Sequence, residues 1–199
     1  SATEVSMLSN LVHASRSYRR FDQKTPISMT DLLDLVGLAR LCPSAGNKQP
    51  LRFVLCNDPA DNARIFACLK WAAYLSDWGG PKEGEQPGAY IVLLNTDKSW
   101  ELAKIDQGIV AQTMMLGAVE KGYGGCILGA IDREKLRSVL GLENDGLEIC
   151  LVLALGKPVE DVRVVDLPAE GSIRYFRDES GVHYVPKRSL DELILQQRG

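Results

Sequence analysis

Two short basic stretches have the composition to bind an anion. Residues 16–20 (Arg-Ser-Tyr-Arg-Arg) place three guanidinium groups close together, and Lys187 and Arg188 form a second cluster near the other end of the chain. Guanidinium is planar and permanently charged, and a phosphate dianion is commonly bound by two or three such cations. Each stretch could equally be a solvated basic loop, so neither identifies a site by itself.

The segment from Pro43 to Pro50 is a turn dense in small and amide residues. Its order is Pro-Ser-Ala-Gly-Asn-Lys-Gln-Pro. Small side chains leave backbone N–H and C=O groups uncovered, which suits edge-on hydrogen bonding to a flat heterocycle. An ordinary connection between a helix and a strand is the alternative interpretation.

A glycine-rich segment at residues 122–129 (Gly-Tyr-Gly-Gly-Cys-Ile-Leu-Gly) invites a dinucleotide-binding interpretation. That interpretation fails on context, because a Rossmann glycine loop follows a strand and opens a helix. Here the glycines follow a predicted helix and precede a predicted strand. They indicate a helix C-cap and a place where the backbone closely approaches another group.

Composition and charge exclude several classes of protein. The chain has 199 residues, of which 45% are hydrophobic and 25% charged, and its net charge is -3. These values are typical of a globular protein, and the slight acidity disfavours a nucleic-acid partner. Because no apolar run approaches about 18 residues, we expect no membrane span. No signal peptide is visible from Ser1 onward.

The number and spacing of the cysteines indicate the cellular compartment of the protein and do not point to a reaction or a metal site. Five of them are scattered without a Cys-x-x-Cys pair, and only two histidines are available as nitrogen ligands. This pattern disfavours a metal site and fits a reducing cytoplasm, where we expect the protein to reside.

Hydrophobic periodicity predicts the elements that must position these residues. Helices are expected over residues 4–15, from Thr30 to Ala39, and over 61–75, 103–121, 132–140 and 190–195. Strands are expected over 51–56, 89–95, 126–131 and 149–155, with a hairpin formed by 173–175 and 182–185. Helices that alternate with buried strands predict a sheet sandwiched by helices, in a single domain spanning residues 1–199.

Taken together and in this order, the motifs resemble the FMN-dependent nitroreductase family. The most specific element is Pro43-Ser44-Ala45-x-Asn47-x-Gln49-Pro50 before a strand, with Leu51 where the family frequently has Trp. The resemblance runs from the Arg-Ser-x-Arg stretch to Lys187-Arg188. It implies an α+β fold of α/β/α layers, with a mixed, largely antiparallel sheet flanked by helices and a C-terminal segment extending to the partner subunit.

The resemblance also assigns residues to the cofactor. It implies that Arg16, Ser17 and Arg19 reach the FMN phosphate, ribityl chain and pyrimidine edge, and that Lys187 and Arg188 bind the phosphate. The turn that reaches the flavin from the partner subunit contains Pro43, Ser44, Ala45 and Asn47. The strand whose backbone lies near flavin N5 contains Ile127, Leu128 and Gly129.

Two departures from the family pattern concern the cofactor site. Ser15 stands where the family usually has an arginine, which removes one phosphate contact. Ile127 replaces a frequent tryptophan, which alters the surroundings of the flavin.

The implied activity is ping-pong redox chemistry in a homodimer. NAD(P)H reduces tightly bound FMN, leaves, and a small-molecule electron acceptor such as a nitroaromatic or quinone takes its place. No protein acid or base is required, and carboxylates such as Asp106 are interpreted as structural. A second reason to expect a dimer is the apolar face of the predicted C-terminal helix, which could pack on a neighbouring chain. This face contains Leu190, Leu193 and Ile194.

Two other functions remain open. Relatives of the same fold dehalogenate, cleave flavins or oxidise azolines, and Trp71, Tyr74 and Trp78 in the variable stretch 71–88 could stack on an aromatic substrate. Ordinary packing explains these aromatics equally well. A non-catalytic flavin-binding protein is the third hypothesis.

Overall fold

The computed structural model describes residues 6–199. Its helices are α1 (Met7–Ala14), α2 (Met29–Leu41), α3 (Pro59–Phe66), α4 (Ala103–Glu120), α5 (Arg133–Val139) and α6 (Leu190–Leu193). Its strands are β1 (Phe21–Asp22), β2 (Leu51–Cys56), β3 (Ala89–Asn95), β4 (Gly124–Leu128), β5 (Glu148–Pro158), β6 (Val162–Asp166), β7 (Phe176–Arg177) and β8 (His183–Lys187). Strands β2 and β3 have the bounds that the sequence predicts.

The central sheet is antiparallel throughout its strand pairs. Its order is β1-β5-β3-β2, with β4 also paired to β5. Strand β5 is long enough to pair with β3, β4 and β1 along its length. The largely antiparallel α+β sheet expected from the sequence is therefore confirmed.

Helices cover both faces of this sheet. All seven residues of β3 are buried, and successive side chains of a strand point to opposite faces. Ile91 and Leu93 pack in a core with α2 and α4, whereas Val92 and Leu94 pack in a core with α3 and α5. The α/β/α layering follows from a strand that is apolar on both sides.

Side-chain caps mark the starts of five helices, among them α2, α3 and α5. The Ser28 side chain accepts the N–H of Asp31 at α2, Asp58 accepts two N–H groups at α3, and Asp132 accepts the N–H of Lys135 at α5. Each cap satisfies a backbone donor that has no partner inside the helix.

Helix α3 corrects the prediction of a helix over residues 61–75. The Asp58 cap starts it at Pro59, and it ends at Phe66. Beyond that point Leu69 forms a β-bridge with Ile131, and the Lys70 N–H donates to the carbonyl of Ala130. Tertiary pairing thus replaces helical hydrogen bonds that the local sequence would have allowed.

Other predicted elements shift at their ends. The strand expected over 126–131 is Gly124–Leu128, that over 149–155 extends to Pro158, and the terminal helix stops at Leu193. The first helix runs from Met7 to Ala14, and the predicted positions 4 and 5 lie outside the described residues.

A second, smaller sheet follows β5 and holds the predicted hairpin. Its order is β6-β8-β7, in which β7 and β8 are antiparallel and β6 and β8 parallel. The first hairpin strand is Phe176–Arg177 rather than 173–175, because the Asp178 carboxylate accepts the N–H groups of Ser180 and Val182 and fixes the turn there. Strand β6 has no counterpart among the predicted elements.

Several apolar side chains remain exposed on the chain. They lie on α1, on α2, at the start of α4 and at the C-terminus, and include Met7, Leu8, Leu33, Leu41, Ile105 and Leu195. Within the described part of the chain, no helix combines the length and apolar character that a membrane crossing requires.

Close approach at Gly125 generates a test of the fold. A Cβ at this position would lie 2.2 Å from the carbonyl oxygen of Ala154, a backbone atom of the paired strand. We expect Gly125→Ala to lower the free energy of unfolding by about 3 kcal/mol, measured by denaturant titration.

The matched control is Gly37→Ala on α2, where an added Cβ meets nothing within 4 Å. Its expected effect is a gain of about 0.5–1 kcal/mol from helix propensity. Equal stability of the two variants would contradict the packing assigned to Gly125.

Candidate functional site

The first basic cluster and Lys187 line one cavity. Its volume is about 320 Å³, and its wall includes Arg16, Ser17, Arg19 and Lys187. The first three come from the segment that follows α1, and Lys187 comes from the end of β8. Four of the five residues that the two basic stretches contribute to the predicted cofactor site are therefore adjacent in space.

The Arg16–Arg20 segment is held against the edge of β4. Ser17 forms a parallel β-bridge with Gly125, and the Tyr18 N–H donates to the Gly125 carbonyl at 2.9 Å. The neighbouring Gly124 has the Tyr18 ring directly against it, where a Cβ would lie 2.6 Å from a ring carbon. The close backbone approach predicted for the glycine-rich segment is thus a contact with the cationic segment.

A buried carboxylate fixes the same segment from its other side. Glu160 accepts the backbone N–H groups of Arg19 and Arg20, and its second oxygen pairs with Arg177 at 3.1 Å. The Glu160 side chain is almost fully buried, so this pair is shielded from water. The sequence pattern gave no indication of this residue, because its partners lie up to 141 positions away.

The arginines in the cavity have hydrogen-bond donors that are not used within the described part of the chain. One terminal nitrogen of Arg16 donates to the Val12 carbonyl at 2.8 Å, and one of Arg19 to the Ser17 carbonyl at 3.3 Å. The buried Nε atoms of both have no hydrogen-bond partner among the described residues. An anion with several acceptor oxygens would satisfy such donors.

The wall of this cavity also includes Tyr175 and His183, to which the sequence pattern assigned no role. The Arg19 guanidinium lies 4.8 Å from the centre of the Tyr175 ring, and the centre of the His183 ring lies 5.2 Å from the same point. Burial, together with the charges of Arg19 and Arg177, lowers the pKa of His183 to about 4.

The depressed pKa links His183 to stability in acid. The ordinary pKa of a histidine is about 6.5, so between this value and about 4 the unfolded chain binds a proton that the folded chain does not. Its contribution to stability is therefore present above about pH 6.5 and is lost as the pH falls towards 4.

The Pro43–Pro50 turn lines a different cavity in the same chain. This second cavity, about 270 Å³, includes Pro43, Ser44, Gln49 and Asp106 in its wall. The turn contains a short 3-10 segment, Ala45–Asn47, and three consecutive or near-consecutive residues with positive φ, Gly46, Asn47 and Gln49. Glycine and asparagine tolerate that conformation, which explains their place in the motif.

Asp106 anchors this turn, in agreement with its interpretation as a structural carboxylate. Buried on α4, it accepts the Ser44 hydroxyl at 2.5 Å and the Ala45 N–H at 3.1 Å. The Ser44 hydroxyl oxygen in turn accepts the N–H of Gln49 at 2.9 Å. The polar residues of the motif are thus partly occupied in shaping their own loop.

The three residues assigned to the flavin ring, at and just after the end of β4, differ in their burial. Leu128 is buried in the core with α3 and α5, whereas the Ile127 side chain is 39% exposed and Gly129 is exposed. The Gly129 carbonyl accepts an N–H of Arg133 at 3.3 Å.

Arg188 is the one predicted phosphate ligand that does not line the first cavity. It is exposed and pairs with Glu192 of α6 at 3.2 Å. Ser189, the next residue, begins α6 with a capping box.

The aromatic residues of the 71–88 stretch differ in their surroundings. Trp71 is buried and packs on Phe66, and Trp78 lies against the Arg177 guanidinium at 4.2 Å, so ordinary packing accounts for both. Tyr74 is exposed and packs on Tyr175 with ring centres 4.9 Å apart.

Comparisons with known proteins agree with this architecture. The sequence model of the nitroreductase family matches residues 13–157. The oxygen-insensitive NADPH nitroreductase of Helicobacter pylori is 24% identical over 183 residues, 76% of this chain and 87% of that protein. The resemblance inferred from the motifs is confirmed.

Solved structures share the fold. A nitroreductase family protein from Streptococcus pneumoniae TIGR4 has a TM-score of 0.64 at 18% identity, covering 94% of this chain and 98% of its own. An FMN-dependent nitroreductase from Clostridium difficile R20291 has a TM-score of 0.61 at 17% identity, covering 76% and 87%.

The anchoring of the Pro43–Pro50 turn gives a second prediction. Asp106→Ala removes the acceptor of two hydrogen bonds, and we expect it to lower the free energy of unfolding by about 2–3 kcal/mol. Amide hydrogen exchange at Ala45 and Gln49 should accelerate with it.

The matched control is Asp34→Ala, which removes an exposed carboxylate paired with Lys121. Its expected effect is within about 0.5 kcal/mol. Unchanged exchange at Ala45 in the Asp106 variant would refute the anchoring role.

Proposed function

Because the chain belongs to the nitroreductase family, we propose that it is an FMN-dependent NAD(P)H oxidoreductase that reduces nitroaromatic, quinone or similar electron acceptors. The observation that carries this proposal is the first cavity. There Arg16, Arg19 and Lys187 converge from two distant parts of an acidic chain.

The residues of this cavity fit the phosphate group of FMN. A phosphate dianion needs several donors and compensating positive charge, and the cavity wall offers two guanidinium groups, an ammonium group and the Ser17 hydroxyl. The unpartnered Nε atoms of the two arginines are donors that a phosphate would satisfy. Arg16, Ser17, Arg19 and Lys187 are accordingly the proposed phosphate-end ligands.

When bound, FMN supplies the hydride and electron transfer of the reaction. The chain itself supplies binding and electrostatics. Arg19, held by the Glu160 contact to its backbone, presents a permanent positive charge to the cofactor. No carboxylate is needed as an acid or base, since Glu160 and Asp106 are both engaged in holding backbone.

We further propose that two chains complete each site. The Pro43–Pro50 turn and the arginine segment line separate cavities in one chain, so a turn that contacts the flavin would come from a partner copy. The exposed apolar side chains of α1, α2 and the C-terminus support an interface, because contact with a partner would remove apolar surface from water.

The direct test of the function is the absorbance of the purified protein. Flavin bands that bleach on anaerobic addition of NADH or NADPH are expected. A protein that neither carries nor takes up FMN would refute the proposal, and bound flavin that never bleaches would favour a specialised flavoenzyme or a flavin-binding protein.

Neutralising the cavity gives the third prediction. Arg19→Gln and Lys187→Gln each remove one charged hydrogen-bond donor, so the Kd for FMN should rise about tenfold or more, measured by quenching of flavin fluorescence. The control is Arg64→Gln, which removes an exposed arginine paired with Asp61. A similar loss of affinity in all three variants would indicate a general charge effect instead of a site.

The fourth prediction concerns assembly. Light scattering should give twice the 21.9 kDa mass of the chain. Leu193→Asp, which places a charge on the exposed apolar face of α6, should shift the protein towards monomer and weaken FMN binding. Gln196→Asp adds the same charge to the same segment and should change neither, and a wild-type monomer that retains FMN would overturn the shared site.

A further inference from the structure

His183 is a buried histidine in the wall of the first cavity. Its side chain is 1% exposed although it lines that cavity together with Arg16, Arg19 and Lys187. The strand pairing fixes its position, because β8 lies between β6 and β7 and the His183 N–H donates to the Asp161 carbonyl at 2.9 Å.

The groups around the imidazole are mainly cationic. Nε2 lies 3.5 Å from a terminal nitrogen of Arg19, and Arg177 faces His183 across the β7–β8 pair. Glu160 is the nearby anion, and it is already paired with Arg177. Arg16 and Lys187 add two further positive charges to the same cavity, and Tyr175 covers the ring.

This environment determines which imidazole nitrogen carries the proton. Because burial and the neighbouring arginines lower the pKa of His183 to about 4, the ring is neutral near pH 7. A guanidinium can only donate, so Nε2 facing Arg19 is the acceptor and Nδ1 carries the hydrogen. Within residues 6–199, Nδ1 has no hydrogen-bond partner although it is buried. A buried donor without an acceptor costs free energy that a ligand with acceptor oxygens would recover.

We propose that His183 is a further ligand of the FMN phosphate, to which its Nδ1–H donates alongside Arg16, Arg19 and Lys187. The proposal rests on the proposed function of the cavity. A dianion at this place would also offset the surrounding cations and so raise the pKa of His183 above its value in the protein without FMN.

The first test is NMR of the FMN-loaded protein with labelled histidines. The chain contains only His13 and His183, so a His13→Asn variant assigns both signals. The expected result is that the pKa of His183 lies at least about one unit above the value of about 4 that burial and the neighbouring arginines impose. The ³¹P signal of bound FMN should shift over the same pH range. If FMN is bound but His183 stays neutral down to pH 5, without a change at phosphorus, the proposal is wrong.

Two variants separate phosphate binding from support of Arg19. His183→Asn keeps an N–H near the position of Nδ1, whereas His183→Gln places its amide near the position of Nε2, beside Arg19. If Nδ1 binds phosphate, the Asn variant should keep the Kd for FMN within about threefold of wild type. The Gln variant should raise it about tenfold or more.

The opposite order, or equal loss in both variants, would make His183 a positioning residue for Arg19 and overturn the proposal. Should either variant fail to fold, the wild-type NMR titration still decides. Failure of the wild-type protein to bind FMN would instead overturn the proposed function itself, and the inference with it.

Discussion

Strand β5 is the element on which the rest of the structure depends. It pairs with β3, β4 and β1, and its middle residues are buried on both faces. A strand in this position can be stable only if apolar layers cover the two faces, since exposed apolar surface and unpaired backbone are both unfavourable. The pairs α2 with α4 and α3 with α5 supply those layers.

The segment that carries Arg16 and Arg19 into the first cavity is held at the carboxyl-terminal end of the same strand. At Gly156, β5 pairs with Gly124, next to the backbone that holds Ser17 and Tyr18. Just beyond its last residue comes Glu160, which binds the other side of that segment. A segment with several like charges is unfavourable to hold together, and here buried backbone hydrogen bonds oppose that repulsion. The side chains of Arg16 and Arg19 therefore remain directed to the cavity.

Within one chain, the Pro43–Pro50 turn does not line the first cavity, which contains Arg16 and Arg19. Asp106 and Ser44 hold the turn in a conformation that includes positive φ at Asn47 and Gln49. Such a conformation is retained only where surrounding contacts determine it. Contacts within its own chain thus define the conformation of the turn, as the proposed sharing of a site between two copies requires.

The sequence alone determined the layered α+β architecture, the bounds of β2 and β3, and the family, because these depend on local periodicity and on contiguous motifs. Tertiary structure decided the end of α3, where pairing of Leu69 with Ile131 overrode helical propensity. It also decided the roles of Glu160 and His183, whose partners near residue 19 are more than a hundred positions away. A lone carboxylate or histidine carries no periodic signal, so only burial beside specific cations reveals its role. The cytoplasmic location and the single-domain assignment stay predictions.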